Sequence, residues 1–189
     1  MHVAVTTAAE GFPRRAFTVE DVSRMIEAGM LELIEGEIVM MAARGLAHER
    51  IKSALAIAVV RAQPRHLTVG VETTLRLTDT VMLEPSIAVF PKDRFKKSSN
   101  GFARLEPGDA DLVIEVAASN LAYHTGLKAR LYARHRVREL WVVDANESSA
   151  WVHTAPVGEG WSSIVKCGPG EALTASALPE LSIRLGEIA

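Results

Sequence analysis

The sequence predicts an α/β fold, an α+β arrangement in which helices flank a mixed central sheet. Three observations predict it. Two segments carry apolar residues at helical spacing, at 46–62 and at about 121–135. Three short apolar runs, at 86–90, 111–117 and 139–144, are of the kind shown by strands covered on both faces. The elements also follow a telling order: hairpin, helix, antiparallel strands, then strand–helix–strand. That last unit demands a right-handed crossover between parallel strands, so the sheet must be mixed.

Each element has its own residue-level reason. Residues 1–16 form a loose arm, with a single domain over 17–189. Thr18 followed by Asp21 makes a helix start, and Val22, Met25 and Ile26 form a short apolar face that stops at Gly29. In residues 31–41 two apolar runs flank Glu35-Gly36, a hairpin whose glycine accepts the positive φ of a tight turn. Ala47, Ile51, Leu55, Ala58, Val59 and Ala62 recur at helical spacing until Pro64 ends the element. Residues 67–71 and 73–77 are rich in β-branched side chains and read as strands. Residues 91–109 are a polar excursion. Residues 149–154 and 161–167 form a hairpin around Gly158 and Gly160, and the chain closes on an amphipathic run at 178–188.

Composition excludes several classes. A chain of 189 residues, 48% hydrophobic and 23% charged, matches an ordinary globular domain. The net charge of −2 supplies no overall basic field, so any DNA contact must use a local patch. Cys167 is the single cysteine; no intrachain disulfide can form, and a reducing cytoplasm is the expected location. The start of the chain lacks the basic and apolar regions of a signal peptide. The most apolar segment, 54–60, lies between Lys52 and Arg61, far short of the roughly 20 residues that cross a bilayer. No phosphate-binding GxxxxGK[ST] loop and no GxSxG elbow occur. His48-Glu49 lacks the second histidine of a zinc-protease helix, and the six histidines show no ligand spacing.

The informative residue is Glu115, an acid in the middle of the apolar run "DLVIEVA". Buried there, it needs a metal, a lysine or hydrogen-bond donors as partner. Two other arrangements remain open: an edge position facing water, or a pair with a nearby arginine. Lys128 is the natural partner, because a crossover helix returns over the strand it left and Leu127 and Leu131 must face the sheet. A strand acid followed by a sheet-facing lysine is an arrangement that holds a divalent cation and orients a water beside phosphate.

The ordered blocks "LELIEGEIVMM", "AHERI", "EPSIAVF", "DLVIEVAAS", "GLKARLYARHRVRELWVVD" and "LPELSIRLGEI" resemble the Uma-type restriction endonucleases of the PD-(D/E)xK nuclease superfamily. The resemblance runs from about Phe17 to the C-terminus. It implies a restriction-endonuclease-like fold and a Mg²⁺- or Mn²⁺-dependent DNA endonuclease. In that pattern Glu115 is the strand acid, Lys128 the lysine moved onto the helix, Glu37 the hairpin acid and His48 the histidine opening the first long helix.

The sequence departs from the pattern at the position of a metal-binding aspartate, where Pro85-Ser86 stands. A hydroxyl is a poor substitute for a carboxylate on a hard cation. His124 replaces an acid one turn before Lys128, and Ala118-Ser119 replaces Ser-Pro. Glu84 points to the face of Ser86 if the strand already extends there, displaced by about 6.6 Å. Glu72 and Asp79 are further acids without an assigned place. The implied function is thus an endonuclease with a partly degenerate site. The alternative is a catalytically inactive nuclease-fold protein that binds nucleic acid or a protein partner. DNA would be met by Lys92, Arg94, Lys96 and Lys97 or by Arg130, Arg134, Arg136 and Arg138, through phosphates rather than bases. A homodimer is expected, since cutting two strands needs two sites.

Overall fold

The structure, a computed structural model, describes residues 16–25, 31–41, 43–94, 96–97 and 102–188. The arm assigned to 1–16 lies almost wholly outside the described residues, as do Ile26 and Gly29. The first helix, α1 (Val19–Ser23), begins on Thr18, whose hydroxyl and the Asp21 carboxylate cap one another reciprocally.

Two six-stranded sheets and a small hairpin organise the rest. β1 (Leu31–Ile34) and β2 (Glu37–Met40) form the expected hairpin, with Glu35 and Gly36 at φ +50° and +85° in the turn. They join β5 (Met82–Leu83), β4 (Leu75–Arg76), β8 (Ala103–Arg104) and β7 (Lys96–Lys97) in the first sheet. Of the strand expected over 73–77, only Leu75–Arg76 pairs. The second sheet runs β12 (Gly160–Cys167), β11 (Ser149–Val157), β10 (Glu139–Asp144), β9 (Leu112–Ala117), β6 (Ile87–Pro91), β3 (Leu67–Val71). Within this second sheet, among the described residues, only β9 and β10 pair in parallel, as the crossover between them requires. The final run pairs as a strand, β14 (Leu178–Arg184), with β13 (Ala172–Ala175).

The two faces of the second sheet carry separate cores. α2 (Leu46–Ala62) lays Ile51, Leu55 and Val59 on one face, against Leu112, Ile114 and Val116 of β9 and Leu178 of β14. The opposite face receives Val113 together with Leu131, Tyr132 and the first sheet's Leu75 and Leu83. Strand alternation therefore puts Glu115 on the side of Val113 and Leu131, away from α2. The helix expected over 121–135 is present but not uniform. α3 (Leu121–Tyr123) runs into a π-helical turn, His124–Lys128, and continues as α4 (Ala129–Arg134).

Candidate active site

Glu115 and Lys128 meet beneath this π turn. The Lys128 ammonium is 2.6 Å from Glu115 Oε1, and the two residues are 0% and 2% exposed. Neither the edge position nor an arginine partner accounts for Glu115. A second acid shares the lysine: Glu32 Oε1, on β1, is 2.7 Å from the same ammonium and 0% exposed. Lys128 thus lies between two carboxylates in a dry interior.

Every group in this cluster but one has its partner. Tyr132 donates its hydroxyl to Glu115 Oε1 at 2.5 Å, and Tyr123 donates to Glu32 Oε2 at 2.8 Å. The Glu84 backbone N–H donates to Glu32 Oε1 at 2.9 Å. The π turn makes this convergence geometrically available. Its extra residue per turn sets Tyr123 and His124 above Lys128, and one ordinary turn then brings Tyr132 beneath it. The exception is His124. Its Nδ1 lies 3.3 Å from Glu115 Oε2 but is too poorly aligned to donate, and it is buried without a hydrogen bond.

The charges follow from these contacts. Burial alone would push Glu115 up; the Lys128 ammonium, with His124 beside it, outweighs burial and holds the carboxyl at about 2. Burial would likewise lower Lys128, but Glu115 and Glu32 together raise it. Tyr132 and Tyr123 are both pushed up, by burial and by the adjacent acids, so each stays a neutral donor.

Glu115, Tyr123 and His124 of this cluster line a pocket of about 340 Å³, whereas Lys128, Glu32 and Tyr132 lie outside its wall. Ser86, Glu84, His48 and Arg44 share its walls with Glu115. The pairs Ile87↔Ile114 and Ala88↔Val113 continue to 86 against 115, so Ser86 stands across from Glu115 on the neighbouring strand. Its Oγ accepts from the Val116 N–H at 3.1 Å. β6 begins at Ile87, so Glu84 belongs to the approach rather than the strand; it is held by Arg44 at 3.1 Å. Arg44 also pairs with Glu72, which Lys52 reaches at 2.6 Å. His48 is buried, which pushes its imidazole below the ordinary histidine value despite a 3.1 Å contact with Glu49. Asp79 is tied to Arg76 at 2.6 Å. Glu37 is exposed on β2 and absent from the pocket wall; the hairpin acid that enters the cluster is Glu32.

Glu32 was within reach of the sequence. "LELI" shows the same signature as "LVIEVA", an acid between apolar strand residues, and both proved buried.

The side chains as arranged do not fit Mg²⁺ or Mn²⁺. Such an ion wants an octahedron of oxygens at about 2.0–2.1 Å. Among the described residues no three His, Cys, Asp or Glu side chains converge on one point. Glu32 and Glu115 Oε1 are engaged by Lys128 and the tyrosines, Glu84 is held by Arg44, and Ser86 presents a hydroxyl. Of the four carboxylate oxygens of Glu32 and Glu115, only Glu115 Oε2 lacks a well-aligned donor among the described residues.

The basic residues expected to face DNA are partly neutralised. Arg134 pairs with Glu35 and Glu159, Arg138 with Asp111 at 2.8 Å, and Arg94 lies 3.6 Å from Asp109. The side chains of Lys96 and Lys97 lie outside the described residues. Among the described residues, no helix is long and apolar enough to cross a membrane.

A solved structure titled as a "putative nuclease belonging to DUF820" from Anabaena variabilis ATCC 29413 superimposes with a TM-score of 0.71. It is 17% identical, over 91% of this chain and 97% of that one. This likeness confirms the restriction-endonuclease-like fold, with its mixed sheets and flanking helices. No curated protein matches the sequence. The Uma2 family model, described as "Putative restriction endonuclease", matches residues 19–186. The chain belongs to the Uma2 family.

Proposed function

We propose that this chain engages DNA phosphodiesters in the 340 Å³ pocket as a metal-dependent endonuclease whose cation-binding half is degenerate. The carrying observation is Glu115 on the pocket wall beside Ser86, held by the fully buried Lys128 behind it. Family membership supports the reaction class. Ser86 explains the degeneracy: a hydroxyl stands where Mg²⁺ or Mn²⁺ would need a second carboxylate. Cleavage by the wild-type chain is accordingly marginal.

Within this reading each residue has a limited task. Glu115 Oε2 is the anionic oxygen left to the pocket. Lys128 is fully buried and keeps Glu115 ionised and aimed rather than touching substrate itself. His48, neutral at pH 7, is an uncharged donor or acceptor on the wall. Glu84, weighed as a stand-in acid near Ser86, holds Arg44. A homodimer and a cytoplasmic location complete the proposal; sedimentation equilibrium reads the former.

Binding tests the assignment of the pocket independently of cleavage. Ala122 is exposed at the pocket rim, so Ala122→Glu should fold normally while placing a negative charge in the substrate's path. Fluorescence anisotropy with duplex DNA at low salt should show weaker binding by the variant; unchanged affinity contradicts the assignment. The saturation of Glu32 and Glu115 by Lys128 and the tyrosines favours a second reading, an inactive protein that only binds nucleic acid. In that case DNA binding survives but no single acid restores cleavage.

A further inference from the structure

The poor fit to a divalent cation has a positive counterpart in the same side chains. Lys128 is held by Glu32 Oε1 at 2.7 Å and by Glu115 Oε1 at 2.6 Å. Its neighbours are oxygen-bearing: Tyr132 donates to the same Glu115 oxygen, and the Glu84 N–H to the same Glu32 oxygen. Two ionised carboxylates in a dry core repel one another and lose hydration. Some cation must compensate them, or one must take up a proton. On the pocket wall and beside it the charges are matched locally, Arg44 against Glu72 and Glu84, and Lys52 against Glu49 and Glu72. Among the described residues, no other cationic side chain lies within ion-pair distance of Glu32, and only His124 joins Lys128 at Glu115.

We propose that the Lys128 ammonium is the resident cation of this site: it occupies the place between Glu32 and Glu115 that a divalent ion would otherwise fill. The folded wild-type chain therefore takes up neither Mg²⁺ nor Mn²⁺ between these two acids. Glu32 is the residue that makes the arrangement complete. With Glu115 alone the lysine would have one carboxylate against its buried ammonium. With both acids it is enclosed, and Tyr123 locks Glu32 from behind through its 2.8 Å hydrogen bond. In this role Lys128 is a positioning residue. The inference rests on the proposed pocket but concerns its ion occupancy rather than its substrate.

Mn²⁺ binding by the full-length wild-type chain is the direct test, followed by electron paramagnetic resonance and by calorimetric titration. No saturable binding, and a melting temperature indifferent to EDTA or added Mn²⁺, is the expected result. Saturable binding that disappears in Glu115→Gln overturns the inference. Lys128→Met provides the converse experiment, since it keeps the bulk and removes the charge. This variant should melt lower than wild type and recover stability on adding Mn²⁺, with the recovery lost when Glu32→Gln is added. A folded Lys128→Met chain that remains indifferent to Mn²⁺ also overturns it. Should Lys128→Met fail to fold, the wild-type titration still decides. Both measurements are blind to DNA, so failure here leaves the nuclease reading standing, and failure of DNA binding leaves this one.

Discussion

Glu32 and Lys128, 96 positions apart in the chain, meet in a 2.7 Å ion pair from which water is excluded at both ends. The contact ties the β1–β2 hairpin of the first sheet to the helix that crosses over between β9 and β10 of the second. A buried pair of this kind contributes little over an apolar replacement, but removing one partner leaves an uncompensated charge.

Stability should report that asymmetry. Lys128→Ala strands two acids and is expected to cost about 3–5 kcal/mol. Glu32→Gln keeps the side chain's shape and leaves the Lys128–Glu115 pair intact, so its cost should be smaller. Urea unfolding followed by circular dichroism measures both. Equal costs would mean that Glu32, rather than Glu115, supplies most of the lysine's compensation, against this account.

The acid limb of the stability profile should belong largely to Glu115. Its folded carboxyl sits at about 2 against an ordinary 4.5, so its ionisation stabilises the fold above pH 4.5. That contribution fades as pH falls from 4.5 towards 2. Lys128 is shifted the other way; its contribution is complete below 10.5 and is lost as pH rises through its higher folded value. Thermal melts across pH should show a plateau between these limits. Glu115→Gln should flatten the acid limb, and an unchanged limb would assign it to other carboxylates.

DNA affinity should depend on salt less steeply than the count of arginines suggests. Arg134 and Arg138 are already paired with Glu35, Glu159 and Asp111. Among the described residues, Lys92 and Arg130 are exposed and have no carboxylate within ion-pair distance. If they meet phosphates, Lys92→Ala or Arg130→Ala should each lower the slope of log K against log salt by about 1. Arg134→Ala should change it less. The opposite ranking would place the interface over Arg134.

Strong periodicity made most of the fold legible. The hairpin turn at Glu35-Gly36, the whole of α2 and the parallel pair β9 and β10 follow from glycine placement, helical spacing and apolar runs. Of the two-residue strands, β4 is legible only as part of a longer strand over 73–77, and β5, β7 and β8 cannot be read, because two residues show no period; they exist through pairing with partners distant in sequence. The π turn was equally hidden, since "HTGLK" has nothing that distinguishes it from ordinary helix. At the site, the Glu115–Lys128 contact followed from strand parity and crossover geometry. Glu32 was overlooked because the family likeness directed attention to Glu37, across the same hairpin. Local context alone would have favoured Glu32, the acid with apolar neighbours on both sides.

The central claim, that this is a phosphodiester site disabled at Ser86, is tested most directly by plasmid nicking in Mn²⁺ with wild type, Ser86→Asp and Ser86→Asp/Glu115→Ala. The account predicts marginal nicking by wild type, at least about tenfold faster nicking with the acid at 86, equivalent to about 1.4 kcal/mol of barrier, and none in the double variant. A Ser86→Asp chain that folds and binds DNA yet cuts no faster than wild type would contradict it.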